Sequence, residues 1–251
     1  MAWSASPDWQ QNLSPPAPGA FPDPPPLKAN YRFGWMKLRG GRAQAIFTKP
    51  EQDIIQLEVS GGSTGLVRQL WKLDATQFAQ ARASTLRPIR VKQIEDYGWK
   101  KIETDLAFTD ERVTSQRLQI LPDPVSLEKQ KFQFPNLYDL LTALLYVRSQ
   151  RLQPGDNFNL AVYPGNTAYL ASVRVVCSEK IQVMAGKYNA LKFEVRLQKI
   201  TTTLGLEPHR KFKRAFIWIS DDENRILLRV EAEIFVGSVW MELQSVKLTG
   251  N

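Results

Sequence analysis

The chain has 251 residues, of which 43% are hydrophobic and 23% are charged, and its formal net charge at pH 7 is +8. This length allows one large domain to bury a core without disulfides or structural metals. The single cysteine, Cys177, and the single histidine, His209, exclude intrachain disulfides, multi-thiolate metal centres and multi-histidine metal sites.

Residues 1–29 are predicted to form a Pro-rich extended arm or linker ahead of a single β-rich domain over residues 30–251. Eight of the sixteen prolines lie in residues 1–26, and proline favours polyproline II over helix or central strand. We therefore expect this arm to be dispensable for folding. It lacks the basic start and apolar stretch of a secretory signal, although a mature exported chain would also lack them. No apolar run approaches the roughly 20 residues of a transmembrane helix, so we expect no transmembrane span.

From Tyr31 onward, apolar and polar residues alternate with period two, which is typical of half-exposed strands. The segment "IIQLEV" is an early example. After it, residues 63–78 favour a helix whose buried side carries Leu66, Leu70, Trp71 and Leu73. The preceding "SGGSTG" lacks the lysine of a phosphate-binding loop, so we interpret it as the turn that begins this helix.

A second helix is predicted over residues 136–152. Apolar residues recur at helical spacing on one stripe, namely Leu137, Leu140, Leu141, Leu144 and Leu145. Pro154 and Gly155 end the segment. We expect Leu141→Asp or Leu144→Asp to be severely destabilising, because each would bury an unpaired charge, and substitutions of Tyr138 or Arg148 to be milder.

Regular alternation returns in the last third of the chain. In "LKFEVRLQK" the apolar Leu191, Phe193, Val195 and Leu197 oppose charged and polar residues, and even positions from Ile226 to Val236 are all apolar. Repeated alternation of this kind indicates antiparallel sheet with one covered face. Cys177 falls on the apolar side of its segment and is predicted to be a buried structural thiol.

A basic cluster lies between these strands. Arg210, Lys211, Lys213 and Arg214 form a candidate contact for an anionic ligand such as phosphorylated glycolipid or anionic phospholipid. His209 beside them is predicted to be a solvated loop residue. Alternation separates the lysines from Phe212, so the cluster lacks the pattern of a nucleic-acid surface, and we expect no nucleic-acid partner.

The densest acidic cluster, "SDDEN", follows this basic stretch. Ser220, Asp221, Asp222 and Asn224 are predicted to form a hairpin turn, because short polar side chains bond the local backbone. The metal alternative requires an oxygen cage, and the segment lacks the alternate spacing and central glycine of a calcium loop. We therefore expect no metal site.

Catalytic and cofactor motifs are absent from the sequence. No Gly-x-Ser-x-Gly segment occurs, and one histidine would have to serve every triad. Five tryptophans lie in apolar contexts, "FGW", "QLW", "YGW", "IWI" and "VWM". They are interpreted as core residues, with lining of an apolar cavity as the alternative. We expect no catalytic residue and no cofactor.

Four phrases together carry a family resemblance: "YRFGWMKLRGGRAQAIF", "YDLLTALLYVRSQRLQPGD", "GKYNALKFEVRL" and "FIWISDDENRILLRVEAEIFVGSVWMELQSV". Their order resembles the domain-of-unknown-function 3108 family of bacterial exported proteins. The resemblance implies a mainly β domain, with a strongly curved antiparallel sheet or open barrel and the two packing helices, located in the periplasm or cell envelope. It implies no activity.

These observations favour a non-enzymatic envelope protein that acts as a binding or assembly module. The expected partner is a lipid-like or anionic envelope ligand, a cell-wall ligand or another protein. The alternative is a carboxylate-dependent hydrolase acting on an envelope polysaccharide. A cavity lined by tryptophan and aliphatic residues would favour binding, whereas two carboxylates roughly 5 to 9 Å apart in a cleft would favour the hydrolase.

Overall fold

The computed structural model describes residues 8–121, 123–235 and 237–249. Within them the chain forms three short helices and fifteen strands. The helices are α1 (Asp8–Gln11), α2 (Gly65–Leu70) and α3 (Leu140–Ser149). The strands are β1 (Leu27–Trp35), β2 (Leu38–Glu51), β3 (Ile54–Ser63), β4 (Asp74–Arg82), β5 (Pro88–Asp96), β6 (Lys101–Phe108), β7 (Arg112–Leu121), β8 (Ser126–Gln133), β9 (Asn157–Val162), β10 (Tyr169–Val183), β11 (Gly186–Ile200), β12 (Leu206–Pro208), β13 (Phe212–Ser220), β14 (Leu227–Ile234) and β15 (Ser238–Leu248).

All these strands belong to one antiparallel sheet. Its order is β8-β7-β6-β5-β4-β3-β2-β1-β15-β14-β13-β11-β10-β9, and β12 pairs with β11 beside this path. The order contains two meanders of consecutive strands that meet where β1 pairs with β15. Because β8 and β9 are the two edges, the connection that contains α3 crosses from one edge of the sheet to the other.

The sheet is strongly curved, since residues near its two edges contact each other. The Tyr163 ring, just after β9, stacks on Phe132 of β8 with 6.1 Å between ring centroids. Ser115 Oγ of β7 donates a hydrogen bond to the Gly165 carbonyl at 3.2 Å. Between the described residues of β8 and β9 no strand pairing closes the sheet. The predicted class, a mainly β protein with a strongly curved antiparallel sheet or open barrel, is confirmed.

Helix α3 packs against all three clusters of buried side chains. Leu141 contacts the cluster built from β4 to β7 together with β9 and β10. Leu144 contacts the cluster of β9, β10, β11 and β13, and Leu145 contacts the cluster that includes β1 to β3. Asp139 caps the helix and accepts hydrogen bonds from the Leu141 and Thr142 amides. Since α3 joins three clusters, it fills the space that the curved sheet surrounds.

The stripe predicted for this helix is partly wrong. Leu137 is buried, but Leu140 is 53% exposed. Tyr138 and Arg148 are instead 2% and 4% exposed, which disagrees with the expectation that their substitution would be mild. Arg148 is buried because its guanidinium donates hydrogen bonds to two backbone carbonyls, those of Pro22 and Asn224. These acceptors come from distant segments, so helical periodicity alone places the residue on the wrong side.

The other predicted helix, residues 63–78, is wrong over most of its length. Helix α2 has no buried residue, and the residues from Asp74 onward form β4. β4 pairs with β3 along its whole length, so the sheet satisfies backbone groups that a helix would otherwise satisfy. Leu66 and Leu70, predicted to be buried, are 77% and 89% exposed. Of the two packing helices predicted, the described part of the chain therefore contains one, α3.

From Asp8 onward, the Pro-rich segment predicted as an extended arm or linker packs against the domain. The Trp9 ring stacks on Phe134 with 5.4 Å between ring centroids. The Ser14 amide donates a hydrogen bond to the Asn159 carbonyl of β9 at 2.9 Å. β1 also begins within the predicted arm. Residues 1–7 of the arm lie outside the described residues.

Candidate functional site

An apolar cavity of about 710 Å³ opens at one end of the sheet. Its walls come from the ends of β1 and β2, from α2 and the residues after it, and from β14 and β15. Three tryptophans line it, and none of its lining residues is ionisable. The lining residues are Phe33, Gly34, Trp35, Leu38, Gly40, Val67, Leu70, Trp71, Leu73, Val230, Ile234, Val239, Trp240 and Met241.

Two hairpin turns hold each other in place beside the cavity. The Met36 amide, between β1 and β2, donates a hydrogen bond to the Ser238 carbonyl of β15 at 2.7 Å. The Trp240 indole N–H donates to the Met36 carbonyl at 2.8 Å. A Cβ at Gly34 would lie 2.1 Å from the Leu38 carbonyl oxygen and 2.6 Å from the Trp240 ring, so only glycine fits between the β2 backbone and this indole. Two turns that are joined by hydrogen bonds thus form part of the cavity wall.

Strand register sets the inner wall of the cavity. Phe33 of β1 is directly opposite Met241 of β15, which is opposite Val230 of β14. A second cavity of about 280 Å³ shares Phe33 and Leu73 with the first and ends beside Glu95. The two cavities therefore share part of one wall, and only the second has polar groups in its lining.

Glu95 marks the polar end of this second cavity. Its carboxylate accepts a hydrogen bond from the Tyr97 hydroxyl at 2.9 Å. Burial, together with this hydrogen bond, raises the pKa of Tyr97 to about 12. Gln93, next to it, donates from its side chain to the Pro164 carbonyl at 3.0 Å. These polar groups have partners within the fold, and none of them lines the apolar cavity.

Large apolar side chains are exposed around the mouth of the apolar cavity. Leu38, at the start of β2, is 58% exposed, and Trp71, after α2, is 48% exposed. Three exposed residues lie beside the mouth but do not line the cavity: Met36 at 53%, Leu66 at 77% and Phe235 at 76%. Several exposed apolar residues around one cavity mouth indicate an interaction site more strongly than a single exposed residue does.

The predicted anionic contact lies next to the same end of the sheet. The Phe235 amide donates a hydrogen bond to the Lys211 carbonyl at 2.7 Å, which attaches the basic stretch to the β14–β15 turn. Arg214 pairs with Glu233 at 2.8 Å. Arg210, Lys211 and Lys213 are exposed, and in the described part of the chain none of these three forms a salt bridge. Three of the four predicted residues therefore have charges available for a partner.

Of the four residues predicted to form a turn, Ser220 ends β13, and Asp221, Asp222 and Asn224 lie in the connection to β14. The Asp222 carboxylate accepts hydrogen bonds from the Ser220 hydroxyl at 2.8 Å and from the Asn224 and Arg225 amides at 2.9 and 3.1 Å. The Asp221 carboxylate accepts from the Ser178 hydroxyl at 3.2 Å. Asp222 thus bonds within the turn, as expected, whereas Asp221 bonds to a neighbouring strand.

We predict that Asp222→Asn costs at most about 1 kcal/mol of unfolding free energy and Asp222→Ala about 1–2 kcal/mol, because only alanine removes all three acceptor contacts. Urea unfolding measures both. Calorimetric titration with calcium, magnesium and manganese should show no site tighter than about 10 μM. Tighter binding that disappears in the Asp221→Ala, Asp222→Ala double variant would contradict the turn interpretation.

The buried carboxylates have structural partners. Glu242 accepts hydrogen bonds from Arg32 and Arg229, both at 3.3 Å, and from the Met184 amide at 2.9 Å. Asp139 is buried in its helix cap, and this burial raises its pKa. Among the described residues, no group of three or more His, Cys, Asp or Glu side chains is placed to hold a metal ion.

The single cysteine and the single histidine differ from expectation. Cys177 is half-buried because the register of β10 with β11 shifts between Val175 and Cys177. The His209 ring is also half-buried, and its Nδ1 accepts hydrogen bonds from the Lys211 and Phe212 amides at 3.2 and 2.9 Å. Desolvation lowers the pKa of His209. This histidine therefore orders the basic turn as a neutral acceptor.

Sequence reasoning identified the tryptophans of the cavity but not their grouping. Trp35, Trp71 and Trp240 come from "FGW", "QLW" and "VWM" and line one cavity. Trp218, from "IWI", is buried. A further signal was available in the segment "WMKL", since Met36 and Leu38 are apolar at a position that becomes a hairpin turn, where polar residues are usual.

Comparisons with known proteins agree with the fold. The family model of DUF3108, described as a protein of unknown function, matches residues 29–244. A crystal structure of a beta-barrel-like protein of the domain of unknown function DUF1849 from Brucella abortus is similar with a TM-score of 0.55 and 9% identity, covering 91% of this chain and 100% of that chain. At this identity the likeness supports the fold alone. No curated protein matches the chain.

Two further solved structures match with TM-scores below 0.5, which is too low to support a conclusion about the fold. One, from Parabacteroides distasonis, is described as a "putative lipoprotein" (TM-score 0.37, 9% identity, 92% of this chain and 99% of that chain). The other, from Bacteroides fragilis, is described as a "putative exported protein" (TM-score 0.34, 11% identity, 92% of this chain and 100% of that chain). Among the described residues, no helix combines the length and the hydropathy needed to cross a membrane.

Proposed function

The chain belongs to the DUF3108 family, and from the chemistry of its apolar cavity we propose that it is a non-enzymatic module that binds a lipid-like ligand. The observation that carries this proposal is the cavity lining, in which tryptophan and aliphatic side chains are combined without a single ionisable group. Sites for small ligands are concave and mostly apolar, with volumes of about 300–1,000 Å³. A cavity of about 710 Å³ lies within this range.

The distribution of polar groups indicates how such a ligand would lie. A hydrocarbon chain fits the apolar cavity, where burial of each CH₂ group contributes about 0.8 kcal/mol. A polar or anionic head group would remain at the mouth, where the hydrogen bond between the Phe235 amide and the Lys211 carbonyl brings the exposed basic stretch of Arg210, Lys211 and Lys213 alongside. The ligand class is therefore an amphiphile with at least one long alkyl chain.

Two features support binding over the hydrolase alternative. The cavity has no convergent polar side chains that could act as acid, base or nucleophile. The buried carboxylates of Asp139 and Glu242 are occupied by a helix cap and by two arginines.

We also propose that the protein works in the periplasm or cell envelope, where lipid-like ligands are abundant, in line with the sequence resemblance to exported proteins.

The experiment is a titration of the full chain with lysophosphatidylcholines of increasing chain length, in which tryptophan fluorescence reports binding. The affinity should rise about fourfold for each added methylene, which corresponds to ~0.8 kcal/mol per buried CH₂. Leu70→Asp should weaken binding at least about tenfold, because it adds a carboxylate to the lining. Leu70 is 89% exposed in the free protein, so this variant should fold normally.

The matched control is Leu66→Asp on the same helix. Leu66 is 77% exposed but does not line the cavity, so the same charge there should leave the affinity within about twofold. An affinity independent of chain length, or equal losses in the two variants, would refute the proposed site.

A further inference from the structure

We propose that the mouth of the apolar cavity is a docking surface for an anionic phospholipid bilayer. The surface combines an apolar rim, defined as Met36, Leu66, Leu70 and Phe235, with a basic rim, defined as Lys37, Arg39, Arg210, Lys211 and Lys213. All nine residues are exposed. This inference rests on the proposed ligand for its purpose, which is transfer of an amphiphile between bilayer and cavity.

The apolar rim cannot be explained by the cavity alone. Met36, Leu66 and Phe235 do not line the cavity, yet each exposes more than half of its side chain. They project from three separate connections: the β1–β2 turn, the start of α2 and the β14–β15 turn. Apolar side chains at several neighbouring loop tips can enter the interface of a bilayer together.

Hydrogen bonds fix these connections relative to one another. The Met36 amide binds the Ser238 carbonyl, the Thr64 amide before α2 binds the Gly40 carbonyl at 3.0 Å, and the Phe235 amide binds the Lys211 carbonyl. The last of these bonds places the start of the basic stretch beside Phe235. The apolar and basic rims therefore form one surface.

The basic rim selects the occupant. Neighbouring acids are already paired: Glu233 with Arg214, Asp74 with Arg68, and Asp96 with Lys72. In the described chain none of the five basic-rim cations has a salt-bridge partner, so their charge is available for lipid phosphates.

Charge also argues against a second copy of the chain on this surface. A two-fold dimer would place the same patch of each copy against the other. It would therefore bring the two basic rims together in a chain whose net charge is already +8. An anionic bilayer complements the patch, while a second copy repels it.

The test is co-sedimentation of the full chain with vesicles of phosphatidylcholine alone or with about 30% phosphatidylglycerol. We expect strong binding only to the anionic vesicles, weakened at high salt. Phe235→Ser and the Lys211→Glu, Lys213→Glu double variant should each reduce it at least tenfold. The controls, Leu127→Ser and Lys129→Glu, Lys131→Glu, change exposed residues of β8 and should leave binding unchanged.

The lysophosphatidylcholine titration separates this inference from the proposed function. Phe235 does not line the cavity, so Phe235→Ser should lose vesicle binding and keep the chain-length-dependent titration. If wild type binds vesicles as expected but shows no titration, docking holds and the proposed ligand fails. Equal binding to neutral and anionic vesicles, equal losses in the β8 controls, or a dimer in analytical ultracentrifugation that Phe235→Ser abolishes would each overturn the docking surface.

Discussion

Deletion of residues 1–26 should lower the Tm by roughly 10–20 °C, because the part of this arm from Asp8 onward is packed into the fold. Trp9 is the first of two anchors. Its ring stacks on Phe134, and its indole N–H donates a hydrogen bond to the Leu204 carbonyl at 2.9 Å. Loss of a large, half-buried aromatic side chain costs about 2–3 kcal/mol.

The far end of the arm adds a second anchor. The guanidinium groups of Arg148 and Arg225 lie 5.4 and 3.5 Å from the centre of the Phe21 ring. The Pro22 carbonyl accepts a hydrogen bond from Arg148. Burial, together with the nearby Arg225, lowers the pKa of Arg148 to about 10, so this side chain remains charged at neutral pH. Without the arm, the buried Arg148 guanidinium would lose the Pro22 carbonyl as a hydrogen-bond acceptor and would lose its contact with the Phe21 ring. This loss costs a further ~2–3 kcal/mol of unfolding free energy.

Thermal unfolding of the full chain and of the deletion variant measures this effect. Trp9→Ala should account for about half of the loss, and the control Gln11→Ala, at an exposed position in the same helix, should change the Tm by less than about 2 °C. A deletion variant whose Tm stays within a few degrees of the full chain would restore the interpretation of the arm as a dispensable linker.

The arm shows why part of the fold could not be predicted from the sequence. Its prolines do exclude central strand, as expected, but a proline carbonyl remains a hydrogen-bond acceptor. The Pro15 carbonyl accepts from the Tyr146 hydroxyl at 2.8 Å and thereby joins segments 131 residues apart. Local composition carries no information on such partners, so the same prolines are compatible with a free linker and with a packed strap.

The strands, in contrast, were predictable because their pattern is local. Alternation along "LKFEVRLQK" reflects local geometry, because successive side chains of a strand point to opposite faces. This pattern corresponds to a part of β11 that pairs on both sides, with β10 and β13. The prediction of a packing helix at α2 was wrong. Leu66 and Leu70 follow a helical pattern, but the apolar face of this helix contacts no core. A periodic pattern cannot show which residues lie opposite it.

The candidate site was only partly predictable. Tryptophans in apolar contexts suggested core or cavity lining, and the basic cluster suggested an anionic contact. That both lie at one end of the sheet follows from the strand order, since pairing of β1 with β15 brings Trp35 close to Trp240 across more than two hundred residues. This pairing of two distant strands is not encoded in any local pattern.

The second large effect is expected in α3, where Leu144→Asp should cost more than about 4 kcal/mol and Leu141→Asp about 3–4 kcal/mol. Leu144 packs on the cluster of β9, β10, β11 and β13, and Leu141 on the cluster that joins β4–β7 to β9 and β10. A carboxylate at either position would lie against apolar side chains without a partner. Because α3 connects clusters from both halves of the sheet, the damage should spread to the whole domain.

Leu140→Asp is the matched control for these two variants, since it adds the same charge to the same helix at a side chain that is 53% exposed. It lies in the first turn of α3, where the helix dipole favours a negative charge. We therefore expect a change of less than about 0.5 kcal/mol in urea unfolding, although periodicity alone would place Leu140 on the buried stripe with its neighbours. If Leu140→Asp were as damaging as Leu144→Asp, the helix would be rotated relative to the packing described. Equal tolerance of all three substitutions would mean that α3 does not hold the two halves of the sheet together.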